Sequence, residues 1–299
     1  MATATTNAYC DGSSLTNFNA WAYWMYQQFL AFGWTQTGDS GQGTFPASGS
    51  VPSSAGSYYA IFQSADGLSA ATKITVKLEM WADGSSVPNF GLTVGTNGTD
   101  GAGNMLTPYT TRLYGGGSNS FKAYSANASD LLPCYASGDS GSIRFVMWNN
   151  GSGSPDYYNI TYIFIARSRD GSGNATSNYV QLWAGNGQAG KFFQTVFGNN
   201  GGANQLDNSG YVMAAYPSVS GSASWSSGGA ILASPVLQNI GGLSNPTPDI
   251  LLGSNKDFPP GATASITVYG VAHTYVAMGS SQVYAWVNGP QSSLLVRYE

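Results

Sequence analysis

Residues 75 to 80 read Thr-Val-Lys-Leu-Glu-Met, and apolar and polar residues alternate along this stretch. Successive side chains of a β-strand point to opposite faces of the sheet. The apolar residues therefore share one face, and Lys77 and Glu79 share the other. The pattern predicts a strand with one face in the core and a Lys77–Glu79 ion pair on the face toward water.

Further short runs also have the apolar or alternating composition of strands, and Gly-, Asn- and Asp-rich turns separate them. These runs are Tyr58–Phe62, Gly91–Val94, Ile143–Trp148, Tyr157–Ala166, Tyr179–Ala184, Phe192–Phe197, Ala264–Tyr269, Thr274–Met278, Val283–Val287 and Leu294–Tyr298. No helical pattern lies between them, as a parallel sheet would require, and the chain has no repeat of fixed period. We therefore predict a mainly β protein, an antiparallel, jelly-roll-like β-sandwich with one N-terminal α-helix.

The segment from Leu15 to Gly33 has the periodicity of a helix. Aromatic residues and a methionine recur along it at steps of three and four, namely Phe18, Trp21, Met25, Phe29 and Phe32. The opposite face carries more aromatic residues and no charge, and a helix without a charged face is usually enclosed by protein. Gly33 is placed to end the helix.

Two interpretations of this helix are open. It can be buried within its own domain, or it can be an assembly helix that packs on another protein and orders the N-terminal region. In the second interpretation the assembly interface is formed by Phe18, Trp21, Trp24, Met25 and Phe29.

The helix also sets the expected domain organisation. Residues 1–40 form an N-terminal arm with the aromatic helix, and residues 41–299 form the β-sandwich region. The stretch that begins at Gly198 reads Gly-Asn-Asn-Gly-Gly-Ala-Asn. It marks a possible subdivision near residues 198–210, although a long loop within one sandwich fits equally well.

Charged residues are scarce in this chain. The 10 Lys and Arg and 14 Asp and Glu residues make up 8% of 299 residues, with a net charge of −4. A nucleic-acid binder needs many Lys and Arg residues facing phosphates, so this class is excluded. A disordered chain would be poor in aromatic residues, which reach 13% here. Because charged residues are depleted at the core of protein–protein interfaces, their scarcity favours a chain that is surrounded by other proteins.

The first ten residues lack the basic and apolar regions of a secretory signal, and no apolar run is long enough to cross a membrane as a helix. We therefore expect synthesis in a cytoplasm and no membrane insertion. Cys10 and Cys134 could pair in principle, but two separate buried thiols are the commoner outcome in a cytoplasmic chain.

The residues that catalysis or metal binding would need are few. His273 is the only histidine, and no nucleophile elbow accompanies it, so we interpret it as a structural histidine. One His and two distant Cys do not supply a standard zinc site. Most acids are Asp residues in turns, which disfavours the carboxylate pair of a glycan hydrolase. The stretch Asp170–Thr176 resembles a calcium loop but fits a hairpin loop better. We therefore expect no catalytic residue, no metal and no cofactor.

Aromatic residues on an uncharged surface could also stack on sugars. The candidates are Trp148, Tyr157, Tyr158, Trp183, Trp225 and Trp286. Aromatic residues in strands serve first of all in core and cross-strand packing, and no spacing separates the two interpretations. The residues of a glycan or receptor contact therefore stay unknown.

Three stretches, taken in order, resemble a family of tailed-bacteriophage virion proteins. The first is the aromatic helix followed by Gly33-Trp-Thr-Gln-Thr-Gly-Asp-Ser-Gly-Gln42. The second, from Leu92 to Asn104, is similar to the family's Thr-Val-Gly strand and Gly-rich loop. The third, from Ile163 to Asn174, is similar to its strand that ends in an Arg and an Asp-Gly turn. The resemblance implies a virion component with a β-rich fold, and it does not by itself place the protein in the head, neck or tail.

The composition and the resemblance lead to one hypothesis about function. The chain is expected to be a non-enzymatic virion structural protein, a globular component attached to the tail or its adsorption apparatus in several symmetric copies. Its expected partners are other virion proteins and copies of itself, with a host surface glycan as a further candidate. The alternatives are a capsid decoration or cement protein, a receptor- or carbohydrate-binding module and, last, a glycan hydrolase. The expected location is the virion, after synthesis in the host cytoplasm.

Overall fold

The computed structural model of the chain describes residues 8–10, 15–42, 58–68, 73–82, 88–108, 113–114, 132–148, 160–169, 175–186, 191–198, 203–206, 224–227, 230–233, 236–238, 244–246, 250–254, 258, 262–268, 270–278 and 292–297. Within these ranges, the surroundings of the side chains are described for residues 23–42, 58–68, 73–79, 91–106, 136–145, 163–167, 251, 258, 262–268, 270–277, 295 and 297. The predicted strand run Val283–Val287 lies outside the described residues.

The described part of the chain is mainly β, with one helix and antiparallel strand pairs. The helix α1 covers Leu15–Ala31. The strands up to the middle of the chain are β1 Ala8–Cys10, β2 Thr35–Gln36, β3 Tyr58–Gln63, β4 Thr75–Ala82, β5 Pro88–Thr99, β6 Met105–Pro108, β7 Leu113–Tyr114, β8 Leu132–Asp139 and β9 Ser142–Trp148. The later strands are β10 Ile160–Arg169, β11 Ala175–Asn186, β12 Lys191–Gly198, β13 Ala203–Leu206, β14 Ser224–Ser227, β15 Ala230–Ala233, β16 Val236–Gln238, β17 Ser244–Pro246, β18 Ile250–Ser254, β19 Thr263–Val268, β20 Val271–Met278 and β21 Ser292–Arg297.

These strands form three larger sheets and the two-stranded pair β16-β17. The N-terminal sheet has the order β2-β3-β4-β5-β6, and β7 also pairs with β5. The central sheet has the order β1-β8-β9-β10-β11-β12-β13, and the C-terminal sheet the order β14-β15-β18-β21-β20-β19. Strands that follow one another in sequence are therefore neighbours in most of the first two sheets. The C-terminal sheet also pairs strands that are remote in sequence, and its two end strands, β14 and β19, contact each other.

The end of α1 follows from the sequence Phe29-Leu-Ala-Phe-Gly-Trp34. Gly33 has a φ of 86°, a conformation that glycine adopts without strain. The N–H of Trp34 donates to the carbonyl of Phe29 at 2.9 Å, and the N–H of Gly33 donates to the carbonyl of Leu30 at 3.0 Å. The rings of Phe29 and Trp34 meet edge to face, with centroids 5.3 Å apart. Both hydrogen bonds and the apolar contact are those of a Schellman motif, which confirms the predicted helix end at Gly33.

The helix packs between the N-terminal and central sheets. Phe29 stacks on Phe62 of β3, with centroids 4.7 Å apart, and its ring lies 5.8 Å from that of Phe145 in β9. Trp24 contacts the same Phe145 ring edge to face. Phe29, Phe62 and Phe145 are fully buried. Through Phe29, these aromatic contacts join the helix to both sheets at once.

Strand β4 confirms the strand predicted over residues 75–80, but one side of the prediction was wrong. Val76 and Leu78 lie in the core, as expected. Lys77 and Glu79 do form an ion pair, with 3.9 Å between Nζ and Oε1. Glu79, however, is only 5% exposed. Polar segments from elsewhere in the chain lie over this second face of the N-terminal sheet.

The C-terminal sheet has its own apolar cluster. The cluster joins β18, β19, β20 and β21 through Leu251, Phe258, Ile266, Val268, Tyr275, Ala277 and Leu295. In β19 the buried residues Ile266 and Val268 alternate with exposed Ser265 and Thr267, the pattern of a strand with one face in a core.

Candidate functional site

Two polar segments meet on the outer face of the N-terminal sheet. The first is the turn Thr37–Gln42 after β2, and the second is the Gly-rich loop Asp100–Asn104 after β5. The backbone N–H of Ser40 donates to the carbonyl of Gly101 at 2.9 Å. We call the group formed by Thr37, Asp39, Tyr59, Thr99 and Gly103 the Asp39 cluster, because its contacts converge on that carboxylate. The turn and the loop cover the face of β4 on which Glu79 lies.

The carboxylate of Asp39 accepts three hydrogen bonds. The hydroxyl of Thr37 donates to Oδ2 at 2.5 Å, and the hydroxyl of Thr99 donates to the same oxygen at 2.8 Å. The backbone N–H of Gly103 donates to Oδ1 at 3.0 Å. Asp39 is 6% exposed. Burial alone would raise the pKa of Asp39, but the hydrogen bonds outweigh that effect and lower the pKa below its ordinary value of 3.8. Asp39 is therefore ionised at neutral pH, with its charge held by uncharged donors.

Tyr59 of β3 connects the same cluster to the sheet beneath it. Its hydroxyl donates to the carbonyl of Ser40 at 2.5 Å. Nζ of Lys77 lies 4.3 Å from the centre of the Tyr59 ring and donates to the carbonyl of Gly103 at 3.0 Å. Burial, and then the nearby charges of Asp39 and Asp100, raise the pKa of the Tyr59 hydroxyl above its ordinary value of 10.0. The hydroxyl is therefore a neutral donor over the physiological range.

The side chain of Gln42 extends the hydrogen bonding of β3 beyond the end of β2. The N–H of Ile61 in β3 donates to Oε1 of Gln42 at 2.8 Å. The amide nitrogen of Gln42 donates in turn to the carbonyl of Thr37, and to its hydroxyl at 3.0 Å. The N–H of Thr37 donates to the carbonyl of Ile61 at 2.9 Å. A side-chain amide thus takes the place of a strand residue where β2 ends.

The Gly-rich loop is shaped by Asp100 and by its glycines. Asp100 accepts hydrogen bonds from the backbone N–H groups of Ala102 and Asn104 and from the Asn104 side chain. These bonds, the Asn104 side chain first, lower the pKa of Asp100 below 3.8. Gly103 has a φ of 88°, and a Cβ added at this position would overlap the Tyr59 ring. Only glycine therefore lets the loop close on Tyr59 and bring its N–H to Asp39.

The chemistry available to the Asp39 cluster is that of a fixed anion. Its lone pairs are directed at Thr37, Thr99 and Gly103, and its lowered pKa leaves no proton to donate near pH 7. A catalytic general acid has the opposite property, a raised pKa. In the ranges that the structure describes, no three His, Cys, Asp or Glu side chains are grouped as metal ligands would be. The cluster is suited to fixing two loops against a sheet.

A second aspartate, Asp66, connects the N-terminal sheet to the central sheet. Nε of Arg167 in β10 donates to Oδ2 of Asp66 at 2.5 Å, and Nη2 donates to Oδ1 at 3.2 Å. Arg167 is 3% exposed. Both carboxylate oxygens are engaged by one guanidinium, the geometry of a strong charge-assisted pair. We call this pair the Asp66–Arg167 bridge.

The turn between β8 and β9 lies beside this bridge. The carbonyl of Ser140 accepts from the N–H of Ala65 at 2.8 Å, and the carbonyl of Asp139 accepts from Nε1 of Trp34 at 2.9 Å. A Cβ added at Gly141 would lie 2.8 Å from Cβ of Asp66, so a side chain there would push the acid away from its partner. The turn therefore needs glycine where it passes Asp66.

The five residues predicted as an assembly interface have different surroundings. Trp24, Met25 and Phe29 are buried against their own chain, as in the first of the two interpretations of the helix. The side chains of Phe18 and Trp21 lie outside the described part. Among residues 23–31, the part of α1 whose side chains the structure describes, the exposed residues are Gln27, Leu30 and Ala31. The assembly role itself stays a prediction.

The remaining candidate residues are placed as follows. His273 lies in β20 opposite Ile266, in the C-terminal sheet, away from the Asp39 cluster in the topology. β10 and β11 pair with Arg169 opposite Ala175, as the hairpin interpretation of residues 170–176 requires, although residues 170–174 are themselves outside the described ranges. The side chains of all six aromatic residues proposed for sugar stacking also lie outside the described part.

Sequence reasoning missed how Asp39, Thr99, Asp66 and Arg167 are paired. Thr99 is 60 residues from Asp39, and Arg167 is 101 residues from Asp66. The resemblance marked the segments that contain Asp39 and Gly103, so it was the one signal for the first cluster. For the bridge, the only hint was an Arg directly after the apolar run that ends at Ala166.

Comparison with known proteins gives no assignment: no protein-family model matches the chain, and no curated protein or solved structure does either. Among the described residues, no helix combines the length and the apolar character needed to span a membrane.

Proposed function

We propose that the chain is a non-enzymatic structural protein of a tailed-bacteriophage virion, a globular component attached to the tail or its adsorption apparatus in several symmetric copies. The observation that carries this proposal is the contact between two of the segments on which the resemblance rests. Asp39 of the first segment accepts hydrogen bonds from Thr99 and Gly103 of the second. Two motifs that meet through buried hydrogen bonds form one structural unit, and this supports the resemblance more than two unconnected matches would.

The surroundings of the two aspartates Asp39 and Asp66 support a structural role. Asp39 and Asp66 both have their oxygens directed at donors of their own chain. The surface that remains is rich in hydroxyl, amide and glycine backbone groups, because charged residues are only 8% of the chain. A neutral polar surface can pack on copies of itself without like-charge repulsion. This is the surface expected of a subunit with several symmetric copies.

The jelly-roll-like sandwich belongs to this proposal as well. Such a fold pairs strands that are remote in sequence and lays two sheets face to face. The pairs β15-β18 and β18-β21 in the C-terminal sheet are of this kind, and the contact of β14 with β19 brings the two ends of that sheet together. The support therefore comes from the C-terminal sheet, since the N-terminal and central sheets are mostly meanders.

The test of the proposal is made on the particle. Purified particles of the phage that encodes the chain are labelled with an antibody against it and imaged by electron microscopy, and the reconstruction gives the number of copies. We expect label on tails, in a symmetric arrangement. Label on heads would instead support the decoration protein, and particles that lack the chain would overturn the virion proposal.

The exposed part of α1 offers a sharper test of assembly than removal of the helix. Deleting residues 1–34 would also delete Phe29 from the core, so a loss of incorporation could result from unfolding alone. Leu30 is 43% exposed on the outer side of α1, and Leu106 is 59% exposed in β6. We expect Leu30→Glu to reduce incorporation into particles, because a charge would enter the interface, and Leu106→Glu to serve as the matched control. Normal incorporation of a folded Leu30→Glu chain would contradict the assembly role of this face.

A further inference from the structure

The two cysteines of the chain lie on neighbouring strands. β1 pairs with β8 in an antiparallel register that places Ala8 opposite Cys134 and Cys10 opposite Leu132. Residues two apart in a strand occupy the same face of the sheet, so the positions of Cys10 and Cys134 are on one face and one diagonal step apart. Two residues that are remote in sequence have thus become neighbours through the fold.

The observed register separates the backbone positions of the two cysteines by more than a disulfide spans. Diagonal neighbours on an antiparallel pair have Cα atoms about 7–8 Å apart, whereas a disulfide needs about 4.4–6.8 Å. Directly opposite residues are about 4.5–5.5 Å apart, which is within that range. A bond between Cys10 and Cys134 therefore requires β1 to slide along β8.

The sequences of the two strands are also compatible with a second register. β1 reads Ala8-Tyr-Cys10, and β8 contains the reverse order, Cys134-Tyr-Ala136. A slide of two residues would place Cys10 opposite Cys134 and would pair each of the other two residues with its own kind. An even shift also leaves every residue on the face that it already occupies, so no apolar residue is turned toward water.

Sliding β1 would replace one cross-strand pair by a more stabilising one and would break few hydrogen bonds. In the observed register Tyr9 lies opposite Pro133, a residue without an N–H to offer the ladder. In the second register Tyr9 would lie opposite Tyr135, and aromatic cross-strand pairs stabilise a sheet. β1 has three residues and stands at the end of the central sheet, paired with β8. Few ladder hydrogen bonds must therefore break for β1 to move.

We propose that Cys10 and Cys134 are an oxidisable pair that holds β1 in the observed register as thiols and in the shifted register as a disulfide. The oxidant is a low-molecular-weight disulfide. One protein thiolate attacks it and forms a mixed disulfide with release of one small thiol, and the second protein thiolate then displaces the other small thiol. Two protein thiols are oxidised, one small disulfide is reduced to two thiols, and the protons pass to the leaving thiolates.

The bond would act on the helix that follows. Ala136 lies opposite Phe145, and Phe145 contacts Trp24 and Phe29 of α1, so the face that carries the cysteine positions is the one packed against the helix. A disulfide at this edge would fix the strand that precedes α1 to the sheet beneath the helix. Closing so long a loop restricts the unfolded chain and raises its unfolding temperature. This inference does not depend on the proposed function.

The test compares the full chain with oxidised glutathione and with dithiothreitol, under native conditions. Peptide mapping without reduction should find one Cys10–Cys134 linked peptide in the oxidised sample, and the midpoint of thermal unfolding should rise by about 5–10 °C. Cys10→Ser should remove both effects. Two free thiols after oxidation of the wild-type chain, or a bond that joins two chains, would overturn the proposal.

The register itself has its own control variant. Ala8→Cys combined with Cys10→Ser places a cysteine directly opposite Cys134 without any slide of β1. We expect both this variant and the wild-type chain to form the intrachain bond, with the wild-type chain oxidised more slowly because β1 must move. A bond in the variant alone would show that β1 is fixed in the observed register, and a bond in neither chain would show that the strands do not pair; each result contradicts the proposal.

Discussion

Asp39 and Asp66 are both bound on both carboxylate oxygens, yet they are held by different chemistry. Asp39 accepts from two hydroxyls and a backbone N–H, and it fixes two loops to the outer face of one sheet. Asp66 is bound by the guanidinium of Arg167, and it connects two different sheets. The comparison shows that one buried carboxylate is held by three uncharged donors and the other by a single cation.

The two arrangements should also fail differently. Removing the Asp39 charge leaves three uncharged donors behind. The stability lost is then only that of their hydrogen bonds to the carboxylate. Removing the Asp66 charge takes two charge-assisted hydrogen bonds and an opposite charge away from a buried guanidinium, which is a larger penalty. The aromatic contacts of α1 lie between the same two sheets as the bridge.

The largest effect should come from the helix core. Phe29→Ala removes a fully buried ring that touches Phe62, Phe145 and Trp34 at once. We expect the free energy of unfolding to fall by about 3–5 kcal/mol, because the cavity adds to the lost transfer energy. Chemical denaturation measures the change. Leu30→Ala, one position along the same helix but 43% exposed, should change stability by less than about 0.5 kcal/mol. Equal losses in the two variants would mean that the aromatic contacts do not hold the sheets together.

The bridge comes next. Asp66→Asn should lower the free energy of unfolding by about 3 kcal/mol, since the buried guanidinium of Arg167 then loses the carboxylate charge that balances it. The double variant Asp66→Asn with Arg167→Met removes both charges and should be more stable than Asp66→Asn alone. Denaturation of the two single variants and the double variant gives the coupling energy. Additive losses would show that the two side chains act independently.

Part of the fold was predictable from the sequence. The alternation of residues 75–80 predicted β4 and its buried residues Val76 and Leu78, and the periodicity of residues 15–33 predicted α1 and its end at Gly33. Patterns of this kind depend on neighbours in sequence, and they were sufficient there. β8 was missed because Leu132–Asp139 contains Pro, Gly and small residues, and its strand geometry comes from pairing with β9.

The site was less predictable, for a physical reason. Glu79 was expected to face water because its strand alternates, but the burial of a face depends on what covers it. Among the described residues, the turn Thr37–Gln42 and the loop Asp100–Asn104 lie over this face, and their hydrogen bonds join residues far apart in sequence. Asp66 is one of the Asp residues in turns, and it accepts from the N–H of Leu68. Nothing local indicated that the same carboxylate also binds Arg167.

Two glycine variants can measure how tightly the loop beside Asp39 packs on Tyr59. Gly101 and Gly103 both have positive φ, 82° and 88°, in the same loop. A Cβ at Gly101 would meet nothing within 4 Å, whereas one at Gly103 would overlap Tyr59. Gly101→Ala should cost about 1 kcal/mol from backbone strain alone, and Gly103→Ala about 2 kcal/mol or more, because Tyr59 must also move. Equal costs in thermal or chemical unfolding would mean that the loop does not close tightly on Tyr59.

The smallest effect should be the most specific, because it depends on pH. The hydrogen bonds lower the folded-state pKa of Asp39 below its ordinary value of 3.8. The ionised form is thus favoured by folding, so its contribution is fully present above about pH 5 and is lost as the pH falls through the folded-state pKa. Asp39→Asn should cost about 1–2 kcal/mol at pH 7, and the difference from the wild-type chain should shrink as the pH falls from about 5 through the folded-state pKa. Thr99→Val keeps the charge but removes one donor, so it should raise the pKa of Asp39 and shift the loss of stability to higher pH. Denaturation curves from pH 3 to pH 7 measure both effects. A difference between wild type and Asp39→Asn that does not vary with pH would show that folding does not lower the pKa of Asp39. The contrast between Asp39 and the Asp66–Arg167 bridge would then rest on geometry alone.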